Sequence, residues 1–191
     1  NGTHEVIGST LDDAAGEAFD KGAKMLGLGY PGGAALEIMA RGGDPAAHNF
    51  PRGMLQSGDL SFSFSGLKTA LRIFLAKNFG GSPPIGGALK DICAAYQRAI
   101  VDVLVAKASA ALEGTGLRIL ALAGGVACNG VLRAALADLC ASRGVRLLAA
   151  RPEHCTDNAA MIALAAAWRH DGSGADSPWD EDVSPGLGLG G

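Results

Sequence analysis

Apolar residues recur at helical spacing through the first two thirds of the chain. Leu67, Leu71 and Phe74 follow one another at intervals of four and three residues, which is the spacing of a single helix face. The pattern therefore predicts a helix at this place. A second and longer apolar series predicts a long helix that ends near Gly114, and its members are Leu89, Ile92, Cys93, Tyr96, Ile100 and Val103.

Polar residues and glycines indicate where the first helix begins and ends. Thr10 is followed by Asp13 three residues later, a weak form of the capping box, and Gly27 is a typical stop. We therefore expect a helix that Thr10 caps and that runs to about Leu26. Residues 4–7 are expected to form a short strand before it.

Turn-forming residues separate the next elements. A turn at residues 30–33 leads into a second helix near Ala34 to Arg41, and a loop follows over residues 42–58. Ser63 or Ser65 is expected to cap the helix that begins there.

The last third of the chain changes to the order strand, helix, strand, helix. Short apolar runs at residues 117–123 and 145–149 predict two strands, and a helix is expected between them from about Asn129 to just before Gly144. A last helix is expected over residues 157–170, and its apolar stretch from Met161 to Trp168 is interpreted as buried. The connection predicts that the two strands are parallel neighbours with a right-handed crossover.

Composition supports a packed α/β or α-rich protein with no membrane span. The 191 residues suit one domain or one large lobe, and 48% apolar against 18% charged residues excludes a disordered chain. No apolar run reaches the roughly 18 residues that a membrane helix needs. We expect residues 1–171 to form one lobe and the Gly, Asp, Ser and Pro-rich residues 172–191 to form a flexible tail.

Charge and cysteine usage indicate the compartment and limit the partners. The formal net charge is -3 and no Lys/Arg cluster stands out, so a basic surface for nucleic acid would have to lie elsewhere or on a partner. The four cysteines form no CxxC pair, which favours free thiols in a reducing cytoplasm. The chain opens at Asn1 without an initiator methionine, so we expect a fragment, a processed product or an incomplete chain.

Two loops at the predicted sheet carry the candidate chemistry. One loop runs from Gly124 and Gly125 to Asn129, and the other covers residues 153–158. Both follow parallel strands, so they should lie side by side at the carboxyl edge, where such sheets bind ligands. The glycines would let a ligand approach the backbone, and the next helix would offer its amide groups to an anion. A tight turn with Asn129 as a helix cap explains the same residues, and the local pattern alone favours it.

The acidic residues can also be interpreted either as part of a ligand site or as local structure. Asp157 could ligate a metal through oxygen, but a helix cap is the commoner role. Asp20 belongs to an acidic stripe with Asp13 and Glu17, and lysines four residues later favour a solvated helix face. Gly33 could likewise be only part of a turn.

Five strings taken together resemble one family. They are LDDAAGEAFDK (11–21), GYPGG (29–33), FSFSGLKT (62–69), AGGVACN (123–129) and CTDNAAMIA (155–163). In order and content they resemble the TsaD family and its archaeal and eukaryotic relatives, from about Val6 to Trp168. Cys128 stands where that family more often has Ala, and Gly22 where it usually has Val or Thr.

The resemblance implies a fold and a set of site residues. It implies the C-terminal lobe of an α/β fold of the actin/Hsp70/sugar-kinase type, helix-rich with a short parallel sheet. It implies substrate contacts at Asp20, Gly33 and Asn129 and a nucleotide loop at Gly124 and Gly125. It also implies one divalent metal, iron or zinc, for which this chain supplies only Asp157, because the family's HxxxH motif is absent here.

The resemblance further implies transfer of a threonylcarbamoyl group from threonylcarbamoyl-AMP to N6 of adenosine 37 in tRNAs that read ANN codons. The implied partners are an adenine nucleotide, tRNA, an inactive paralogue and a small ATPase, all in the cytoplasm. The alternatives are a metal-dependent glycoprotein endopeptidase, the family's historical label, and a non-catalytic scaffold paralogue. No HExxH motif and no Ser/His/Asp set supports a protease, whereas retention of Asp157 argues against a scaffold.

Overall fold

The structure is a computed structural model that describes residues 4–173. Helices dominate it, and two short strands lie in its last third. In chain order the elements are α1 (Ala15–Met25), α2 (Gly32–Ala40), α3 (Ser65–Phe79), α4 (Gly86–Thr115), β1 (Ile119–Leu122), α5 (Gly130–Arg143), β2 (Arg146–Ala149) and α6 (Ala159–Ser173). Short 3-10 turns follow each strand, at Gly125–Cys128 and Pro152–His154.

The main core forms around α4, as the long apolar series predicts. Ile92, Cys93, Tyr96, Ile100 and Val103 are all fully buried there. Helices α1, α2 and α3 pack their apolar faces onto this cluster. The burial explains why α4 is stable over its 30 residues, since tertiary packing rather than propensity supplies most helical stability.

Two glycines permit the close approach of the first helices. A Cβ atom at Gly22 would lie 2.5 Å from Cε1 of Tyr96, so α1 contacts the Tyr96 ring only because Gly22 has no side chain. The Tyr96 hydroxyl donates a hydrogen bond to the carbonyl of Ala18, at 3.0 Å. A Cβ atom at Gly32 would lie 2.6 Å from the Cα atom of Asp20, which fixes the start of α2 against α1.

The predicted parallel strand pair is confirmed. Strand β1 pairs with β2 in parallel, with Ile119 opposite Arg146 and Leu122 opposite Ala149. Helix α5 forms the connection between them and buries Leu132 against a second apolar cluster that also contains Val101 of α4. The α/β class is therefore observed. This packing attaches the two loops that follow the strands to the helical part of the molecule.

The structure corrects two expectations at the beginning of the chain. Helix α1 begins at Ala15 rather than just after Thr10, and no side chain caps it. Thr10 instead forms an isolated parallel bridge with Phe62, while residues 4–7 lie in no strand. The capping pattern was misleading because Thr10 and its neighbours are paired with a segment about 50 residues away, which overrides the local preference.

The cap of α3 also differs from expectation, because Asp12 supplies it instead of Ser63 or Ser65. Oδ1 of Asp12 accepts hydrogen bonds from the amides of Phe64 (2.8 Å) and Ser65 (3.2 Å). Its Oδ2 accepts from the hydroxyls of Ser63 and Ser65, at 2.5 and 2.7 Å. Desolvation opposes ionisation of Asp12, but these four hydrogen bonds outweigh it and hold the pKa well below the ordinary value of 3.8.

Replacing Asp12 by Ala should destabilise the fold by about 0.5–2 kcal/mol, the usual cost of a lost helix cap. Because the folded-state pKa lies below the unfolded one, this contribution is complete above about pH 3.8 and disappears as the pH falls through the folded-state value. Urea unfolding of both proteins at pH 7 and at acid pH checks this. A difference that persists unchanged at the lowest accessible pH would contradict it.

Helix α6 exists as expected, but its apolar stretch is exposed. Ile162, Leu164 and Trp168 are 64%, 70% and 78% exposed, so the interpretation of this stretch as buried is wrong for the residues that the structure describes. An apolar pattern indicates that a helix favours burial but does not say which surface covers it. Among residues 4–173, we find no helix that is long and apolar enough to cross a membrane. The predicted flexible tail lies outside the described residues, apart from its first two, which belong to α6.

Candidate functional site

A cavity of about 500 Å³ lies between α1, α2 and the two loops that follow the strands. Phe19 and Asp20 of α1 form one wall, and Gly33 and Glu37 of α2 form another. The loop after β1 and Thr156, from the loop after β2, complete the lining. The expectation that both loops meet at the carboxyl edge of the parallel strands is thus confirmed.

The structure brings together most, but not all, of the residues predicted for a site. Asp20, Gly33, Gly125 and Asn129 line the cavity. Gly124 lies one position before the lining residues of its loop. Asp157 is not among the lining residues; it directly follows the lining residue Thr156 in sequence and is exposed to solvent.

Asn129 caps helix α5 and also lines the cavity. Its Oδ1 accepts a hydrogen bond from the amide of Leu132 at 2.9 Å, so it caps α5. Its Nδ2 donates to Oε1 of Gln97 at 2.8 Å, and both side chains are buried. A side-chain amide has two N–H hydrogens, so one donor remains for a ligand.

Glu37 is a cavity residue that the sequence reasoning missed. It lies on α2 one helical turn after Gly33, and its Oε1 accepts a hydrogen bond from the amide of Gly130 at 3.0 Å. The four-residue spacing from Gly33 places both residues on one helix face and could have identified Glu37. The carboxylate also corrects an expectation in part, since Glu37 and Asn129 occupy the amides of Gly130 and Leu132 in the first turn of α5, which were expected to be free for an anion.

The charge of the lining favours hydrogen-bond donors over phosphate. Asp20 and Glu37 face the cavity, whereas its lining includes no Lys, Arg or His. Phe19 and Val126 supply apolar surface. Carboxylates accept hydrogen bonds from hydroxyl groups, and apolar walls pack against flat rings. The cavity therefore suits a ribose and a base better than a phosphate group.

Lys21 explains why Asp20 differs from its acidic neighbours. The ammonium group of Lys21 pairs with Asp13 at 2.5 Å and with Glu17 at 2.9 Å. The Glu17–Lys21 contact is the predicted pair on the exposed face of α1, whereas Asp13 lies before the helix and is partly buried. Asp20 lies on the cavity side of α1 and belongs to neither of these ion pairs, so the acidic stripe divides between a surface role and a cavity role.

The backbone requires glycine at one of the two site positions, Gly124, but not at Gly33. Gly124 has φ 89° and ψ 166°, a conformation almost restricted to glycine, so a side chain there would strain the turn. Gly33 has no such constraint, because a Cβ atom would lie 3.8 Å from Cβ of Phe19, an ordinary contact distance. Gly33 therefore leaves space in the cavity without being required by the backbone.

Asp157 is not the cap of α6. Asn158 has that role, because its Oδ1 accepts a hydrogen bond from the amide of Met161 at 3.0 Å. Within the described residues we find no hydrogen bond or ion pair to the Asp157 carboxylate. The rival explanation by capping is thus removed, and an exposed carboxylate remains beside the cavity.

The described residues do not form a complete metal site. Residues 4–173 contain no group of three His, Cys, Asp or Glu side chains that could hold a metal ion. Asp157, a hard oxygen donor without a protein partner among these residues, fits as one ligand of a site whose other ligands come from elsewhere.

Two thiols adjoin the cavity at the contact between the loops. Desolvation raises the pKa of the Cys128 thiol, the neighbouring Cys155 thiol raises it further, and Arg133 opposes both. Sγ of Cys128 also approaches the carbonyl of Pro152, at 3.8 Å. All four cysteines are free, as expected.

Comparison with known proteins gives a family match over most of the chain. A model of the family TsaD, tRNA N6-adenosine threonylcarbamoyltransferase, matches residues 1–164. The chain is also similar to two curated proteins named tRNA N6-adenosine threonylcarbamoyltransferase. The one from Paracidovorax citrulli is 53% identical over 96% of this chain and 53% of its own length. The one from Bordetella petrii is 55% identical over 88% of this chain and 48% of its own length. The relative from Geotalea uraniireducens is 50% identical over 85% of this chain and 47% of its own length. The chain spans about half the length of the curated relatives it matches.

Proposed function

The chain belongs to the TsaD family of tRNA N6-adenosine threonylcarbamoyltransferases, and we propose that it supplies the nucleoside-binding lobe of such an enzyme. The proposed reaction transfers a threonylcarbamoyl group from threonylcarbamoyl-AMP to N6 of adenosine 37 in tRNAs that read ANN codons. The observation that carries the proposal is the cavity, whose lining joins carboxylates and a free amide donor to apolar walls. Residues 1–171 form this lobe in the proposal, with the fold of the actin/Hsp70/sugar-kinase type.

Each cavity residue has a proposed role toward the AMP part of the substrate. Asp20 and Glu37 accept hydrogen bonds from the ribose hydroxyls, and Asn129 donates its remaining N–H to the nucleoside. Gly33 leaves room for the ribose. Gly124 and Gly125 let the backbone of their loop approach the nucleotide.

The phosphate group has to be held by other parts of the enzyme. The cavity lining has two carboxylates and no cation, so it would repel a phosphate placed deep inside it. We therefore place the phosphate and the acyl group at the cavity mouth, on the side of Thr156 and Asp157. This orientation directs the reactive carbon toward the rim.

The proposed chemistry is acyl transfer from a mixed anhydride to an amine. A bond forms between adenosine N6 and the carbamoyl carbon, the bond from that carbon to the phosphate oxygen breaks, AMP leaves and N6 loses a proton. AMP is a good leaving group, so the protein acts mainly by holding the two reactants in place. Residues of this chain orient the AMP part, which fixes the position of the reactive carbon.

Asp157 is the proposed metal ligand of this lobe. A bound divalent cation, iron or zinc, would supply positive charge for substrate oxygen atoms. Asp157 would hold that ion beside the acyl group, together with two histidines from outside this sequence. Its exposure and its lack of a protein partner in the described residues support this role.

The proposed partners follow from the family and the charge. The net charge of -3 and the acidic cavity give this lobe little attraction for tRNA. Binding of tRNA would then depend on the rest of the enzyme and on its partner proteins, an inactive paralogue and a small ATPase, in the cytoplasm. The lobe alone is expected to bind adenine nucleotides weakly and to transfer nothing.

A larger side chain at Gly33 should block substrate binding while leaving the fold intact. Gly33→Val would place methyl groups in the ribose space, and we expect the KM for threonylcarbamoyl-AMP in the full-length enzyme to rise at least about tenfold. Gly29→Val is the matched control, because Gly29 is exposed, lies outside the cavity lining and has open space for a Cβ atom. Equal KM values for the two variants would contradict the assignment.

The function itself is tested by assaying the full-length protein with its partner proteins. We expect transfer of a labelled threonylcarbamoyl group from added threonylcarbamoyl-AMP to tRNA, which gives threonylcarbamoyladenosine. A matched tRNA with guanosine at position 37 is the control and should remain unlabelled. Absence of the modified base under conditions in which a known relative forms it would refute the proposed function.

A further inference from the structure

The side chain of Arg133 connects the two loops that form the site. Arg133 lies in the second turn of α5 and is half-buried. Its Nε donates a hydrogen bond to the carbonyl of Ala127, which precedes Cys128 and Asn129 in the loop after β1. Its Nη2 donates to the carbonyl of Ala150, at 2.6 Å, and contacts Sγ of Cys155, at 3.4 Å, both after β2.

These contacts are the strongest polar link between the loops. Among the described residues, the Cys128 thiol makes weaker polar contacts across this boundary, with the carbonyl of Pro152 at 3.8 Å and with the Cys155 thiol. A guanidinium group is planar and holds its donors at fixed angles, so the two carbonyls that it binds are held at a fixed separation. Arg133 therefore adds a side-chain link between the loop of the cavity residue Asn129 and the loop that carries Asp157. This link is additional to the backbone hydrogen bond from the amide of Ala150 to the carbonyl of Leu122.

The charge of Arg133 has no carboxylate partner within residues 4–173. The nearby ion pair between Arg151 and Glu153 does not include Arg133. Only uncharged acceptors receive its hydrogen bonds. A surface ion pair is therefore not what keeps this arginine in place. Its Nε and Nη2 atoms donate to the backbone and the thiol of the two loops.

We propose that Arg133 is a positioning residue that couples the nucleoside loop to the loop carrying Asp157. The proposal rests on the proposed function. Through this coupling, the AMP part of the substrate and the carboxylate at the rim keep the spacing that transfer needs. Arg133 touches no reacting atom. Its effect is geometric, and a displacement of about 1 Å at such a site can lower the rate about 100-fold.

The test compares variants of Arg133 in the full-length enzyme. Arg133→Met keeps the apolar stem and removes both hydrogen bonds, and we expect kcat for tRNA modification to fall about 100-fold, with the KM for threonylcarbamoyl-AMP changed much less. Arg133→Lys keeps the charge but can reach only one carbonyl, so its kcat should be closer to that of Arg133→Met than to that of the wild type. Arg143→Met is the matched control. Arg143 lies at the other end of the same helix, far from both loops, and its guanidinium group donates a hydrogen bond to the carbonyl of Ser109.

Three readouts separate positioning from a purely structural role. Amide hydrogen exchange over residues 150–158 should become faster in Arg133→Met than in the control, and the affinity for the metal should fall about 10- to 100-fold, as for lost supports of metal ligands. In Arg133→Ala, added guanidinium ions should restore part of kcat. A structural role alone would lower the melting temperature without these changes.

The outcomes distinguish this inference from the proposed function. If Arg133→Met keeps kcat within about threefold of the wild type, the coupling is refuted while the function stands. If the wild type forms no modified base, the function is refuted, and hydrogen exchange of residues 150–158 still decides whether Arg133 holds the loops together. If Arg133→Met does not fold, Arg133→Lys and guanidinium rescue decide, and activity of the Lys variant equal to wild type overturns the inference.

Discussion

Replacing Asp157 by Ala in the full-length protein should abolish tRNA modification and reduce bound metal while leaving stability nearly unchanged. The carboxylate is exposed and has no protein partner among the described residues, so its loss should alter the free energy of unfolding by less than about 0.5 kcal/mol. Loss of the ligand would remove several kcal/mol of charge stabilisation, which corresponds to a rate more than about 100-fold lower. Metal analysis, thermal unfolding and the modification assay on one preparation measure all three quantities.

Asn158 provides the matched control for this prediction. Its side chain caps α6, so Asn158→Ala should cost about 0.5–2 kcal/mol of stability and leave the bound metal largely in place. The two neighbouring substitutions thus have opposite expected profiles. An Asp157→Ala protein that keeps its metal and its activity would contradict the role of Asp157.

Replacing Asn129 by Ala should lower both stability and nucleotide affinity. The substitution removes the cap of α5, at about 0.5–2 kcal/mol, and leaves the buried Gln97 without its partner, at about 1–3 kcal/mol. We expect a total loss of about 1.5–5 kcal/mol. The cavity would also lose its one amide donor, so binding of threonylcarbamoyl-AMP by the full-length enzyme should weaken at least about tenfold. Urea unfolding and calorimetric titration measure the two effects.

Asn129→Asp separates the two roles. Asp caps helices as well as Asn does, and Gln97 can turn its amide to donate to the new carboxylate, so most of the stability should remain. The free N–H is lost, however, and a third carboxylate joins Asp20 and Glu37. Nucleotide affinity should therefore fall although the protein stays folded, whereas wild-type affinity in Asn129→Asp would show that the role of Asn129 is structural only.

Elements with a strong local pattern could be predicted from the sequence. The apolar series of α4 and the glycine that ends α5 predict these helices nearly to the residue, since Gly144 adopts the left-handed conformation typical of helix ends. The parallel strand pair follows from its connection. Gly125 and Asn129 then meet Thr156 in one cavity, because parallel strands bring their following loops to the same edge. Asp20 and Gly33 line the same cavity from α1 and α2, and the strand order does not predict that placement.

Features that depend on distant contacts could not be predicted in this way. The cap of α3 comes from Asp12, more than 50 residues before it, and a local capping pattern carries no information about such a partner. Thr10 has the sequence of a cap but pairs with Phe62. The link made by Arg133 is equally invisible in sequence, because an arginine on a helix gives no sign of which carbonyls it reaches.

The exposed face of α6 illustrates a related limit. Its apolar residues led to a prediction of burial, yet the described part of the chain leaves Leu164 and Trp168 exposed. Hydrophobicity measures a tendency to leave water and not the presence of a covering surface.

The most direct test of the central claim is a crystal structure of the full-length protein with a non-hydrolysable analogue of threonylcarbamoyl-AMP. We predict that the ribose lies in the cavity within hydrogen-bond distance of Asp20 and Glu37, that Asn129 donates to the nucleoside, and that the acyl group lies at the rim beside Asp157. An analogue bound outside the cavity, or one that places its phosphate between the two carboxylates, would contradict the account.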